Sequence, residues 1–277
     1  MMDLKHQLLE IRENEFNFTN YDLDTLITSM VKHIGTTDFV LRDELIYTTF
    51  GQMIFMKDLL DPNQLRALLR TCLDDEHLFL GLGEDEGDSV FTRSFSTLVI
   101  ALVLDADSRH SFLSKEEFEL TLAAVFNYVR KERDSRGYVK GKGWAHALAH
   151  AADTLDELAK HRYFTEDNAV DLLEIIKSKV FYGDTVYSAQ EDERFAIPVL
   201  SVVKTDLLSG QQINSWIGSF SATLEEEKKV VSDPNRLNLY LNVRNFLNSL
   251  YFRLRFEKIG NHLQDELEKT LDEIREF

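Results

Sequence analysis

Four polar side chains suited to metal binding or acid–base chemistry recur at helical spacing near the middle of the chain. They are His146, His150, Asp153 and Glu157, and successive members are separated by 4, 3 and 4 residues. If residues 143–160 form one helix, these side chains lie in a single stripe along it. Two imidazoles four residues apart can bind one divalent metal ion, and a carboxylate one turn later can supply an oxygen ligand. The same groups could instead serve as a base and its orienting carboxylate.

Three interpretations of the stripe stay open. It could line a ligand pocket without metal, form a divalent metal site of His146, His150 and Asp153, or be the polar face of a structural helix. The zinc-peptidase pattern HExxH is absent, since position 147 is alanine. Small side chains between the histidines leave room beside the imidazoles, as the floor of a pocket would. The opposite side is predicted to face the core, with Trp144, Leu148, Ala151, Leu155 and Leu158.

A glycine-punctuated basic loop precedes the stripe. Arg136, Lys140 and Lys142 alternate with glycines at 137, 141 and 143. Glycines allow close backbone approach, and the N-terminus of the following helix presents unpaired N–H groups to an anion. The loop therefore predicts an anion site beside the stripe, and the alternative is a loop whose lysines are solvated.

Part of the sequence repeats as a helical segment, and four arginines stand at equivalent positions of that repeat. They are Arg42, Arg93, Arg194 and Arg244. Guanidinium groups pair well with carboxylates of a neighbouring repeat. We therefore expect these arginines to be mostly buried and paired with acids. The functional alternative is that Arg93 and Arg194 reach the stripe and hold an anionic ligand.

The elements that must position these groups read as helices. Asp61-Pro62 predicts a helix start, and Ser114 with Glu117 predicts a capping box. The chain has only 3 prolines and 12 glycines, too few for the many turns of a β fold. Convincing alternation of apolar and polar residues is hard to find. The sequence predicts an all-α protein with about twelve helices.

The helices also repeat. Taking His146 as the equivalent of the four arginines, the anchor residues are separated by 51, 53, 48 and 50 residues. A period near fifty suits helical hairpins that stack on their neighbours. We predict a single domain over residues 1–277 built as a HEAT-like α-solenoid, with an α/α toroid as the alternative. One helix of each pair should line a concave surface, and the segments expected there are LRDELIYTTFGQMI, FTRSFSTLVIALVL, GWAHALAHAADTLDEL, DERFAIPVLSVVKTDL and VRNFLNSLYFRLRF.

Blocks within these segments resemble a bacterial protein family. The blocks are RDELIY, VFTRSFSTL, GKGWAHALAHAADTLDELA, EDERFA and NFLNSLYFRL, in this order, and they resemble the domain-of-unknown-function family 2785. The resemblance implies an all-helical, HEAT-like protein of Gram-positive bacteria. It implies no activity, substrate or catalytic residue, so any chemistry must be inferred from the residues themselves.

Charge and cysteine content exclude several classes of function. A net charge of −17 disfavours nucleic acid and anionic membranes as partners. A lone cysteine, Cys72, excludes an internal disulfide and a thiolate metal cluster. The segment MMDLKHQLLEIREN lacks the apolar core of a signal peptide, and the apolar run at 98–104 is short for a membrane span. We expect a cytoplasmic bacterial protein.

The leading functional hypothesis is a helical-repeat protein that binds a small anionic ligand, or a peptide or protein partner, in a concave groove. His146, His150 and Asp153 would lie at its centre. The alternative from another class is a hydrolase that uses these groups around a divalent metal ion or an activated water. The third is an interaction scaffold without a small-molecule site. The sequence does not decide whether a reaction is catalysed.

Overall fold

The protein is all-α, as the sequence predicts. The structure is a computed structural model that describes residues 3–227, 229, 230, 232 and 234–275; the first two residues of the N-terminal segment considered above therefore lie outside it. The first six helices are α1 (Leu4–Glu13), α2 (Leu23–Lys32), α3 (residues 40–56), α4 (Pro62–Cys72), α5 (Ser89–His110) and α6 (Lys115–Lys131). The remaining described helices are α7 (Ala147–Lys160), α8 (Glu166–Val180), α9 (Glu191–Thr205), α10 (Gly210–Glu227), α11 (Asn235–Glu257) and α12 (Asn261–Ile274).

The predicted helix starts at α4 and α6 are confirmed. The Asp61 carboxylate accepts hydrogen bonds from the N–H groups of Asn63 and Gln64, and the Gln64 side chain accepts one from the Asp61 N–H. Ser114 and Glu117 form the same reciprocal arrangement at the start of α6. Each cap satisfies backbone donors that a helix leaves without partners, which explains why the helices begin at these residues.

Helix α3 is irregular. Val40–Tyr47 and Gln52–Met56 are π-helical and flank the α-helical turn Thr48–Gly51. A π-helical turn is wider than an α-helical one and often accompanies a functional or strained position. The first of these turns carries Arg42, whose side chain is completely buried.

A two-stranded hairpin replaces the predicted start of the stripe helix. Strand β1 (Tyr138–Val139) pairs antiparallel with β2 (Gly143–Trp144), so the prediction of a helix from residue 143 is wrong for its first residues. Gly141 and Gly143 have φ values of +79° and +83°, which a helix does not accommodate. Helix α7 begins only at Ala147.

The chain divides into two compact units, with the boundary between Thr154 and Leu155 inside α7. In the first unit α3 packs on α5, and the Thr154 hydroxyl donates to the Thr97 carbonyl of α5 over 2.9 Å. In the second unit α9 packs on α11, and α10 packs on α12. The single domain over residues 1–277 stays a prediction.

Helix α5 lies in the core of the first unit. Among the described residues it is the one helix whose length and composition would allow it to cross a membrane, and 78% of its apolar window is buried in the protein. A helix that is apolar on every side and buried is typical of the core of a soluble protein. The buried residues include Val99, Ile100 and Leu104.

Candidate ligand site in the 138–150 segment

His146 lies just before α7 rather than within it. Its φ of +49° is left-handed, which is uncommon outside glycine and costs on the order of 1 kcal/mol. The His146 N–H donates to the Arg136 carbonyl over 3.1 Å, and its own carbonyl accepts from the His150 N–H over 2.9 Å. The predicted helical stripe is therefore wrong for His146, whereas His150, Asp153 and Glu157 do lie on α7.

The rings of this segment form an aromatic cluster, which we define as Tyr138, Trp144 and His146. The Trp144 and His146 rings stack with centroids 4.2 Å apart, and Tyr138 contacts Trp144 edge-on at 5.2 Å. Tyr138 is 59% exposed and Trp144 is 43% exposed. The prediction that Trp144 faces the core is wrong, because the hairpin turns it outward.

His150 fixes the start of α7 to α5. It is 7% exposed, and its Nδ1 lies 2.8 Å from the Ser94 Oγ. The Ser94 hydroxyl donates its one proton to the Ala145 carbonyl, so the neutral His150 ring must donate from Nδ1 and carry its lone pair on Nε2. The His150 ring also contacts Phe95 edge-on at 5.3 Å, and its perpendicular contact with the His146 ring spans 5.6 Å.

The Arg42 side chain binds the backbone of the hairpin. One terminal nitrogen, Nη2, donates to the Lys142 carbonyl over 2.7 Å and to the Trp144 carbonyl over 3.3 Å. The other, Nη1, donates to the Thr36 carbonyl over 2.6 Å. These bonds join α3 to a segment about a hundred residues later in the sequence. They fix the backbone that carries Trp144.

The Arg42 guanidinium is also enclosed by aromatic rings. It lies 4.2 Å from the Phe91 ring centroid and 4.8 Å from that of Phe95, within the range of cation–π attraction. Its Nε is 2.7 Å from a carboxylate oxygen of Asp43. Burial lowers the pKa of Arg42 and raises the pKa of Asp43, because both charged groups lose water that their attraction only partly replaces.

Gly143 has no room for a side chain. An added Cβ there would lie 2.4 Å from the Phe39 Cβ and 3.0 Å from Arg42 Nη2. We expect Gly143→Ala to lower the free energy of unfolding by roughly 2–4 kcal/mol, since crowding adds to the strain of a positive φ. Gly141→Ala is the matched control, because Gly141 also has a positive φ but has nothing within 4 Å of the added atom. Urea unfolding of both variants measures the difference. Equal losses of stability in the two variants would show that the hairpin is not packed tightly against α3 at Gly143.

Arg93 is structural rather than available for a ligand. Its Nε and Nη2 donate to both carboxylate oxygens of Glu132, over 2.7 and 3.0 Å. Its Nη1 donates to the Leu80 and Gly81 carbonyls and to the Ser89 hydroxyl, over 2.7 to 3.0 Å. Both Arg93 and Glu132 are buried. All three guanidinium nitrogens are therefore engaged inside the protein, which corrects the assignment of Arg93 as a ligand-binding residue.

The other two arginines of the repeat are less buried than Arg42 and Arg93. Arg42 and Arg93 are completely buried and paired with Asp43 and Glu132, as predicted, whereas Arg194 on α9 and Arg244 on α11 are mostly buried but keep part of their surface exposed. The Arg244 guanidinium lies 5.5 Å from the Tyr240 ring centroid. The expected role of Arg194 in ligand binding stays a prediction.

The basic loop is largely neutralised by local carboxylates. Arg136 pairs with the buried Asp134, and the Lys142 ammonium lies 2.6 Å from an oxygen of Asp88. Lys140 is exposed at the tip of the hairpin. The anion site predicted from Lys140 and Lys142 therefore depends chiefly on Lys140.

The acidic members of the stripe fall in different units. Asp153 is half-buried in the first unit. Glu157 belongs to the second unit, where it pairs with Lys160 over 2.9 Å. Over the described part of the chain, no group of three or more His, Cys, Asp or Glu side chains is placed to hold a metal ion. The three-ligand centre of His146, His150 and Asp153 is thus not formed.

Fold and site together define an all-helical protein with a hairpin-mounted aromatic and histidine segment. The chain belongs to the family described as "Protein of unknown function (DUF2785)", whose model matches residues 78–252. This match confirms the resemblance found in the sequence blocks, although RDELIY lies before the matched region. No curated protein and no solved structure matches the chain significantly.

Proposed function

We propose that this chain is a cytosolic, HEAT-like helical-repeat protein that binds a small anionic ligand with a planar ring on the aromatic cluster. The repeat is supported within each unit by contacts between alternate helices, α3 with α5 in the first and α9 with α11 in the second. These pairs are the equivalent members of successive predicted hairpins, as a helical-hairpin repeat requires.

The observation that carries the binding proposal is the half-exposed Trp144, mounted on a fixed backbone. Tyr and Trp combine an apolar ring with a polar end and are enriched at recognition surfaces, and here Tyr138 and Trp144 are exposed and in contact with each other. The His146 ring supports one face of Trp144, and the hydrogen bonds from Arg42 hold the hairpin. A planar ligand can stack here without reorganising the protein.

The charge preference follows from Lys140, because it is exposed in the turn between the two strands that carry Tyr138 and Trp144. Its ammonium offers a carboxylate or phosphate a partner on an otherwise acidic protein. A peptide or protein partner that presents a planar side chain beside a carboxylate would satisfy the same surface.

The hydrolase alternative has less support. It needs His146, His150 and Asp153 to act together, but His146 precedes α7 with a left-handed backbone, so the helical offset that would align the three groups does not include it. His150 is committed to Ser94 through its Nδ1. Recognition rather than catalysis is therefore the function that we propose for the segment.

Binding can be tested with 2-naphthoate as a probe and naphthalene-2-methylammonium as its matched cation, by ligand-observed NMR titration. We expect 2-naphthoate to bind with a Kd on the order of 1 mM. Trp144→Ala should weaken binding about 10-fold or more, because a stacked ring contributes roughly 1–3 kcal/mol. Lys140→Ala should weaken it several-fold and reduce the preference for the anion.

Phe252→Ala is the matched control, because Phe252 is 49% exposed on α11 and lies in the other unit. It should leave binding unchanged. Equal losses in the two variants, or equal binding of the cation, would overturn the proposal. Trp144→Ala is a cleaner test than His150→Ala, since buried His150 supports the fold as well.

A further inference from the structure

A second concave site lies in the first unit, away from the aromatic cluster. It is a cleft of about 1060 Å³ between α2 and α4, and the lining includes no residue of the 138–150 segment. Its size is in the range of small-molecule sites. The apolar lining residues that keep accessible surface are Ile27, Ala67 and Leu80, and Leu80 is 39% exposed.

Gly35 is part of the lining and packs closely against α5. A Cβ on this residue would lie only 1.8 Å from the hydroxyl of Thr92 on α5, so glycine lets the chain pass directly over α5. Both residues line the cleft. The Gln64 side chain, also part of the lining, donates to Asp24 over 2.7 Å, which ties α4 to α2.

Two histidines belong to the lining, and each is held by a hydrogen bond at its Nδ1. The His33 Nδ1 lies 2.8 Å from the Ser29 carbonyl, and the His77 Nδ1 lies 2.7 Å from an Asp74 carboxylate oxygen. A carbonyl or carboxylate can only accept, so each Nδ1 carries a hydrogen. Both rings are therefore fixed in orientation by groups within three or four residues of them in the chain.

The charged side chains of the lining favour a positively charged ligand that donates hydrogen bonds. Asp24, Asp61 and Glu76 supply three carboxylates, against the single ammonium of Lys32. A primary ammonium has three N–H donors and no acceptor, which complements carboxylates. An apolar tail would cover the aliphatic part of the lining.

From this combination we propose that the cleft between α2 and α4 binds an organic ammonium with an aliphatic body. The site is independent of the anion site proposed on the hairpin, since the two share no lining residue and prefer opposite charges. Its ligand class is set by volume, apolar surface and an excess of acceptors acting together.

The test compares octylammonium with octanoate, which have the same tail and opposite charge, by NMR titration. Octylammonium should bind at least 10-fold more tightly than octanoate. Ala67→Trp should abolish this binding, because Ala67 lines the cleft and the indole would fill it. Arg70→Trp is the matched control, since Arg70 is exposed on the same helix but is not part of the lining.

Charge is tested by Asp24→Asn and Glu76→Gln, each of which should weaken octylammonium binding several-fold. Equal binding of octanoate, or unchanged binding to the Ala67→Trp variant, would overturn the inference. Trp144→Ala should leave octylammonium binding intact, and Ala67→Trp should leave 2-naphthoate binding intact. Failure of one site is therefore distinguishable from failure of the other.

Discussion

Replacing Arg93 with alanine is expected to lower the free energy of unfolding by about 3–5 kcal/mol, because it leaves a buried carboxylate uncompensated. Burial alone would lower the pKa of Arg93, but the hydrogen bonds and charge of Glu132 outweigh it and raise the pKa. The loss also strips the Leu80 and Gly81 carbonyls of their donor. Equilibrium urea unfolding measures the effect.

The control for this prediction is Arg133→Ala. The ion pair of Arg133 with Asp85 spans 3.3 Å, but both side chains are about two-thirds exposed. Such pairs contribute roughly 0–1 kcal/mol. A loss of similar size in Arg93→Ala would mean that the buried pair does not hold α5 to the end of α6. A double replacement, Arg93→Met with Glu132→Leu, should recover part of the stability because no charge is left buried alone.

Arg42→Ala is the second substitution with a large expected effect, about 3–5 kcal/mol by the same reasoning. Here the loss should also be local, since Arg42 donates to the Lys142 and Trp144 carbonyls. We expect amide hydrogen exchange in residues 138–146 to accelerate more than that in α6. Binding of 2-naphthoate should weaken although Arg42 is buried beneath the site.

Arg42→Lys separates charge from geometry. A lysine ammonium keeps the positive charge but cannot reach several carbonyls with a planar fork or lie against two rings in the same way. It should therefore recover little of the hairpin protection. Full recovery of both stability and binding would show that only the charge matters. Uniform acceleration of exchange throughout the first unit would show that Arg42 supports the core and not the hairpin.

Local signals predicted much of the fold. The caps at Asp61 and Ser114 specify helix starts through neighbouring residues alone, and both are where the sequence places them. The apolar side of α7 is also as predicted, with Leu148, Leu155 and Leu158 buried. Such patterns depend on contacts within a few residues, which a single sequence contains.

The hairpin was missed although a local signal existed. Glycines at 141 and 143 on either side of a lysine, next to Tyr138 and Trp144, are typical of a strand–turn–strand. The histidine spacing instead suggested a helix from residue 143. His150 and the two acids that follow it do lie on one helix, as their spacing predicts. His146 has a left-handed backbone instead and belongs to the aromatic cluster.

The role of the arginines could not be predicted in detail. Arg42 and Arg93 look equivalent in the sequence, but one binds carbonyls a hundred residues away and the other binds Glu132. These partners are set by which helices pack together, and patterns within a few residues of each arginine do not show that packing. The same reason explains the cleft between α2 and α4, whose lining comes from four separate segments.

The most direct measurement of the central claim is a 19F NMR titration of protein labelled with 5-fluorotryptophan. The chain has two tryptophans, so Trp144 at the candidate site and Trp216 in the core of the second unit give separate signals. Adding 2-naphthoate should shift the Trp144 resonance in a saturable manner and leave the Trp216 resonance in place. A Trp144 resonance that does not move, or one that moves together with Trp216, would contradict a ligand site on the hairpin.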